Sequence, residues 1–275
     1  MATAQVEHAV LLEGMGGYSS FITQTKEISP SGGIGAGVGA GYELSLSNFK
    51  IRTGVEFTNL RSAFRMDEHN HNANMIDTES EAYIGHFRFT DNRDRYNLGY
   101  VNVPLMLGFQ FGKYYFLAGG KVGMNLFSNS RTLSTVTATA TYPDLMEDLK
   151  DMPKHLYTTV DEKADYKPGF DINYSASFEA GAYLSNLGNG NFGCRVALFC
   201  DYGLKNVREN LPTENLVVNK SNANYYQPVM NDFLLSHDTK ANLLFAGVKF
   251  AIIFKFDRPP ICRCEEYISP KKGKR

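Results

Sequence analysis

The chain of 275 residues is long enough for one large all-β domain, and its net charge of −1 with a pI near 6.6 argues against a general nucleic-acid binder, which would carry a basic excess. A mean hydropathy of −0.29, without any run of about 18 apolar residues, excludes a transmembrane helix. The same mean hydropathy suits a membrane barrel, whose strands alternate lipid-facing and lumen-facing residues.

The first residues are similar to the end of a signal peptide. Ala2-Thr3-Ala4 fits the small-residue cleavage pattern, with Gln5 as the first mature residue. The charged and apolar regions that precede such a site are missing, and a match of this length also arises by chance. We expect residues 1–7 to be a signal-peptide remnant and a periplasmic N-terminus.

Period-two alternation of apolar and polar residues, the signal of a half-buried β-strand, recurs eight times along the chain. It is sharpest in the second segment, where Ile34, Ala36 and Val38 alternate with glycines. The last segment ends at Phe256. The predicted strands cover residues 8–20, 32–46, 48–63, 98–111, 113–127, 171–186, 191–205 and 241–256.

The composition of the two strand faces decides between a soluble barrel or sandwich and a membrane barrel. A soluble barrel has an apolar interior and a charged exterior. Here one face is almost free of charge over about ten residues per strand, the length that a tilted membrane strand needs. Lipid outside and a polar lumen inside fit this pattern. The predicted lumen charge network consists of Glu13, Glu43, Lys50, Arg52, Glu56, Lys121, Glu179, Arg195, Asp201 and Lys249.

The connections between predicted strands alternate between short and long. Short turns are predicted near residues 47–48, 112–113 and 188–190, and long loops over 21–31, 64–97, 128–170 and 206–240. This alternation is typical of a bacterial outer-membrane barrel, with long loops outside the cell and both termini in the periplasm. We therefore predict a closed antiparallel up-and-down transmembrane β-barrel of eight strands over residues 8–256, or of ten if a long loop hides a hairpin.

Three segments carry a family resemblance: YVNVPL (100–105), FLAGGKVG (116–123) and FEAGAYL (178–184). With the closing strand, they resemble the outer-membrane β-barrel domain of Bacteroidetes, the porin-like and PorT-like group. The resemblance implies a barrel in the outer membrane and brings no catalytic residues with it. One PorT-like member is associated with type IX secretion. The tail 257–275 departs from the family pattern, in which the barrel closes at or near an aromatic C-terminal residue.

The lumen charges permit two interpretations, a selective pore or an ion-paired plug. An eight-stranded barrel has an interior that side chains can fill, and buried charges must be paired, so the plug is favoured. The glycines of the second strand are expected to make room for large neighbours such as Tyr183 or Phe199.

Other candidate sites have simpler interpretations. Asp67, Glu68, His69 and His71 are a possible metal set, but close spacing in a polar segment favours a solvated loop, and no metal or other cofactor is expected. Without a nucleophile motif we expect no enzyme. Cys194 and Cys200 should face lipid, Cys262 and Cys264 lie in the tail, and interfacial girdles are predicted from Tyr18, Tyr42, Tyr100, Tyr114, Tyr174 and Tyr202.

These features predict an outer-membrane barrel that serves as a structural or interaction scaffold of the cell envelope, in a secretion or assembly complex. The expected partners are outer-membrane lipid and an envelope protein that contacts the long loops or the tail 257–275; nucleic acid is not expected. Two alternatives stay open, a small porin that passes ions or small solutes and an outer-membrane lipid-modifying enzyme.

Overall fold

The computed structural model describes residues 6–143, 148–150, 162–166, 172–187, 192–209, 211–220 and 226–256. Its elements, in chain order, are β1 (Val6–Thr23), β2 (Ile28–Ser31), β3 (Gly33–Leu46), β4 (Phe49–Met66), β5 (His69–Ile76), β6 (Ala82–Phe111), β7 (Tyr114–Thr141), β8 (Asp148–Lys150), β9 (Glu162–Tyr166), β10 (Asn173–Leu187), β11 (Phe192–Gly203), β12 (Val217–Asn219), β13 (Pro228–Met230), α1 (Phe233–Ser236) and β14 (Ala241–Phe256).

Eight of these strands close a ring. The order is β1, β3, β4, β6, β7, β10, β11 and β14, with every neighbouring pair antiparallel and β14 paired back to β1. The closing seam runs from His8 opposite Phe256 to Thr23 opposite Ala241. The predicted fold, an eight-stranded antiparallel barrel, is confirmed. Strand β1 begins at Val6, inside the segment 1–7 that was predicted to precede the barrel.

Short turns gather at one end of the barrel. Ser47 and Gly112 adopt φ angles of 58° and 59° in the connections β3–β4 and β6–β7, as tight turns require. The predicted turn at 188–190 lies outside the described residues, as does the tail 257–275 with its two cysteines. We call this end of the barrel the turn end, and the opposite end the loop end.

At the loop end, the strands continue well beyond the predicted boundaries. The predicted loops 64–97 and 128–170 are wrong over much of their length, because β4, β6 and β7 run on and β5, β8 and β9 pair along them. In this extension the inner residues, such as Phe87 and Phe89, are buried while the outer ones, such as Arg88, are exposed and polar. Because the outer face is no longer apolar there, the membrane pattern used to define the strands stops before the strands do.

The segment 206–240, predicted as an external loop, folds back instead over its described residues, 206–209, 211–220 and 226–240. We call it the plug segment. Phe233 and Leu234 of its helix are completely buried in one core cluster with Phe21, Phe64 and Tyr96 of the barrel wall. Asp232 accepts hydrogen bonds from the amides of Leu234 and Leu235 and so caps the helix.

The outward face of the ring is apolar next to the turn end. Over residues 101–111 and 114–126 the outward side chains are almost all hydrophobic, and Leu105, Phe116 and Met124 expose 59%, 56% and 57% of their surfaces. Equivalent positions on β10, β11 and β14 carry Phe178, Leu198 and other large apolar residues. This apolar band covers the length of strand that crosses a bilayer. Among the described residues, no helix is long and apolar enough to cross a membrane.

Candidate functional site

The ten charged residues of the predicted lumen network all lie on the inner face of the barrel, and all but Asp201 are buried. Five are cations and five are carboxylates, so their formal charges cancel. They come from seven of the eight ring strands; β6 supplies Asn102 and Met106 to the interior instead. The structure brings all ten into one connected set of ion pairs.

Nearest the turn end, Glu43 is the acceptor for two cations. Lys50 Nζ lies 2.5 Å from Glu43 Oε1, and Arg195 Nη1 lies 2.7 Å from Glu43 Oε2. The Tyr183 hydroxyl donates to the same carboxylate at 3.3 Å, and Lys50 also donates to Ser45 at 2.9 Å. These contacts join β3, β4, β10 and β11.

In the centre, one bidentate pair crosses the lumen. Both terminal nitrogens of Arg52 donate to Glu179, with Nη1 2.8 Å from Oε1, so the guanidinium of β4 is linked to the carboxylate of β10 on the far wall. The Tyr115 hydroxyl donates to Glu179 at 2.8 Å, and Arg52 also lies 3.3 Å from Glu13. Such fork-to-fork pairs combine charge with fixed geometry.

Lys249 connects this centre to the next layer. Its ammonium lies 2.9 Å from Glu56, 3.1 Å from Glu179 and 3.3 Å from Glu13. Lys121 then joins Glu56 at 2.7 Å to Asp201 at 2.8 Å. Beyond Lys121 the interior retains a cavity of about 30 Å³, which has room for about one water molecule. The lumen is therefore filled by its own side chains.

The glycines of β3 make room for this filling, but not for the neighbours that were predicted. A Cβ on Gly39 would lie 3.1 Å from Glu56 Cγ, and one on Gly35 would lie 2.6 Å from the Phe245 ring. Tyr183 and Phe199 were the wrong neighbours, because the residues opposite a strand depend on ring closure and stagger, which local alternation does not specify.

A second polar cluster locks the plug segment to the wall at the loop end. The Tyr96 hydroxyl donates to Asp232 at 2.6 Å and lies 3.2 Å from Asp94, and the Ser130 hydroxyl also donates to Asp232. The Phe233 amide donates to Asp94 at 2.5 Å. Burial, reinforced by the charge of Asp232, raises the pKa of Asp94 well above its usual value, and burial also raises the pKa of Asp232.

Comparison with known proteins decides the family. The model of the outer membrane protein beta-barrel domain matches residues 12–209, which is more than half of the chain. The chain belongs to this family. It is an outer-membrane barrel.

One solved structure has only a distant likeness to this outer-membrane barrel. The crystal structure of Ail, the attachment invasion locus protein of Yersinia pestis, in complex with the heparin analogue sucrose octasulfate, is 10% identical in sequence with a TM-score of 0.28. That match covers 91% of this chain and 99% of Ail. The chain matches none of the curated proteins.

The possible metal set of this outer-membrane barrel is dispersed by strand geometry. Asp67 and Glu68 lie in the exposed connection between β4 and β5, as expected of a solvated loop, whereas His69 and His71 belong to strand β5. Glu68 pairs with Arg88 on the outside, and His71 Nε2 faces the Tyr226 hydroxyl at 3.2 Å on the inside. Burial lowers the pKa of both His69 and His71. In the described part of the chain, no group of three or more metal-ligating side chains gathers.

Two further predictions about the outward face of the outer-membrane barrel had different outcomes. Cys194 and Cys200 lie half-buried on the outward face, as predicted, whereas Tyr100 is buried inside and so belongs to no girdle. Tyr100 has the same parity along β6 as the buried residues Leu98 and Met106, so alternation itself places its side chain inside the barrel. The plug segment was missed altogether, although Asp232 followed by the apolar run 233–235 is a helix-start signal.

Proposed function

We propose that this outer-membrane barrel is a closed, non-catalytic anchor that presents an extracellular surface to other components of the cell envelope. The observation that carries the proposal is the double obstruction of the lumen. The ion-paired network fills the membrane-spanning part, and the plug segment fills the loop end. Because the lumen is blocked at both levels, we expect the protein to act through its outer and extracellular surfaces.

The orientation belongs to the same proposal. The short turns face the periplasm with both chain ends, and the loop end faces the cell exterior. The difference in length between the two sides supports this assignment, because outer-membrane barrels have short periplasmic turns and longer extracellular connections. The extension formed by β4, β5, β6 and β7 then stands outside the membrane as the presented surface.

The resemblance to the PorT-like group of Bacteroidetes is consistent with this role. We extend the proposal to an envelope assembly or secretion complex in such a bacterium, with the barrel as its membrane anchor. This extension is supported by the sequences of the three segments that carry the resemblance and by the match to the family of outer-membrane barrel domains. Lipid and an envelope protein are the partners that the proposal requires.

Planar-bilayer recordings test the proposal against the porin alternative. We expect the purified full chain to give no stable conductance. Replacing residues 209–238 by a short Gly/Ser linker should leave the bilayer silent, because the ion-paired network still fills the lumen. Adding Arg52→Ser and Glu179→Ser to that deletion removes one charge of each sign, and we expect this variant to conduct. Stable channels from the unaltered chain would show that it is a porin.

A further inference from the structure

Arginines accumulate on the outer face of the barrel just beyond the apolar band at the loop end. We call them the outer arginine patch: Arg61, Arg65, Arg93, Arg95 and Arg131, from the neighbouring strands β4, β6 and β7. All are exposed except Arg93, which is half-buried. Phe57 and Leu126 are the last exposed large apolar residues below the patch on β4 and β7.

The patch places like charges directly opposite one another. Arg65 is paired in register with Arg93, and Arg95 with Arg131. Like charges at such cross-strand positions destabilise a sheet. Within the described residues, Arg61, Arg65, Arg93 and Arg95 form no ion pair, whereas Arg88 higher on the same face pairs with Glu68. Arg131 is also opposite Asp165 of β9, so among the residues that the structure describes, the positive charge without an ion pair on this outer surface is that of the other four arginines.

A concave site opens among these residues. A groove of about 520 Å³ is lined by Arg61, Arg95 and Arg131 together with the side chains of Asn97 and Asn129. No carboxylate is among its lining residues in the described part of the chain. Guanidinium and amide groups offer several hydrogen-bond donors here, and the guanidinium fork matches phosphate oxygens bidentately. The groove has the chemistry of an anion site.

The position of the groove along the membrane normal indicates which anion it binds. Asn97 and Asn129 are opposite each other, and Asn97 is also opposite Arg61, so the groove begins where the apolar band ends. At that depth a bilayer changes from acyl chains to headgroups. In the orientation given under the proposed function, on which this step rests, the leaflet is the outer one, whose glycolipids carry phosphate groups next to their acyl chains.

We propose that the outer arginine patch binds the phosphate groups of an outer-leaflet glycolipid, with the acyl chains of that lipid lying on the apolar band beneath. The bound phosphates neutralise the four arginines that form no ion pair, so the lipid stabilises the extended sheet as well as occupying the groove. Arg61 and Arg95 contact the ligand from two strands.

Native mass spectrometry of the full chain in a neutral detergent tests the proposal, with bisphosphorylated lipid A as the probe. We expect Arg61→Gln with Arg95→Gln to weaken its binding at least about tenfold, since the charge-assisted hydrogen bonds of two guanidinium groups to phosphate are lost. Arg88→Gln, which removes the same charge from the same outer face away from the groove, should bind as the unaltered chain does. A difference in gel mobility between unheated and heated samples verifies that each variant is folded.

The competing outcomes are distinct. Equal binding by the double variant and the unaltered chain would overturn the site, and so would equal binding of dephosphorylated lipid A. A sulfated oligosaccharide without acyl chains that binds as tightly as lipid A would overturn the lipid assignment. Micellar binding does not depend on topology in the cell. A reversed topology with binding retained would therefore overturn the proposed orientation and leave the anion site itself supported.

Discussion

Arg52 and Arg195 are guanidinium groups with 2% and 1% of their side-chain surfaces exposed, in the interior of a protein whose exterior is hydrocarbon. Burying an ion costs several kcal/mol, and only close, complete pairing offsets that cost. Each of these arginines contacts more than one carboxylate, and Arg195 also stacks over the Tyr115 ring at 4.7 Å. Every charge of the network has at least one ion-pair partner, although Arg195 Nε has no hydrogen-bond partner, so the loss of any single member leaves a buried charge with fewer partners.

Arg52→Ala tests this dependence. The substitution leaves Glu179 and Glu13 buried with fewer partners, and we expect it to lower the free energy of unfolding by about 3–5 kcal/mol. Urea unfolding in detergent micelles, followed by far-UV circular dichroism, measures the change. Arg88→Ala removes an exposed arginine from an exposed pair and should leave the unfolding midpoint nearly unchanged. Similar losses in both variants would contradict the role of the lumen network.

The sequence was sufficient to place these ten residues inside the barrel, because parity along a strand assigns each side chain to one face. It was not sufficient to pair them. Arg52 and Glu179 are 127 positions apart and meet across the lumen, so their contact depends on strand number and stagger rather than on any local pattern. The same limit explains the wrong neighbours predicted for the β3 glycines.

At the scale of elements, the plug segment shows where alternation fails as a guide. Its two short strands and one-turn helix bury Val229, Met230 and Phe233 without any regular period. Arg208 fixes the fold of the segment by donating to the carbonyl oxygens of Leu234 and Leu235 at 2.6 and 3.3 Å. Such irregular segments are specified by individual hydrogen bonds, which become visible only in three dimensions.

The attachment of this segment should depend on pH through Asp94. Because the pKa of Asp94 in the folded state lies above its ordinary value of 3.8, the folded protein binds more protons in the interval between the two values. Its free energy of unfolding should therefore fall as the pH rises through that interval, with a slope approaching about 1.4 kcal/mol per pH unit. Asp94→Asn removes the titrating group, so we expect a flatter profile and higher stability at the alkaline end.

Urea unfolding midpoints measured at a series of pH values above 3.8 check this effect. Asp238→Asn provides the matched control, because the Asp238 side chain is 98% exposed and its partner Arg208 retains its other hydrogen bonds. Parallel profiles for the unaltered chain and Asp94→Asn would show that the carboxyl pair does not govern the attachment.

For the whole molecule, the asymmetry between the two ends predicts its topology in the cell. An epitope inserted in the exposed turn at 78–80, between β5 and β6, should be reached by antibody on intact cells. The same epitope inserted at the turn 112–113 should be reached only after the outer membrane is permeabilised. The two insertions differ in position alone and so control for each other. Surface labelling of the second insertion and not the first would reverse the assigned orientation.

The ring of eight strands joins the two ends of the chain along the seam between β1 and β14. Glu13 on β1 and Lys249 on β14 meet only when that seam forms. A sheet lying unsealed in hydrocarbon would present both ions to acyl chains at a cost of several kcal/mol each. Insertion and sealing must therefore coincide during biogenesis, and the same cost opposes any later reopening of the seam, so the inserted protein should be long-lived for kinetic reasons.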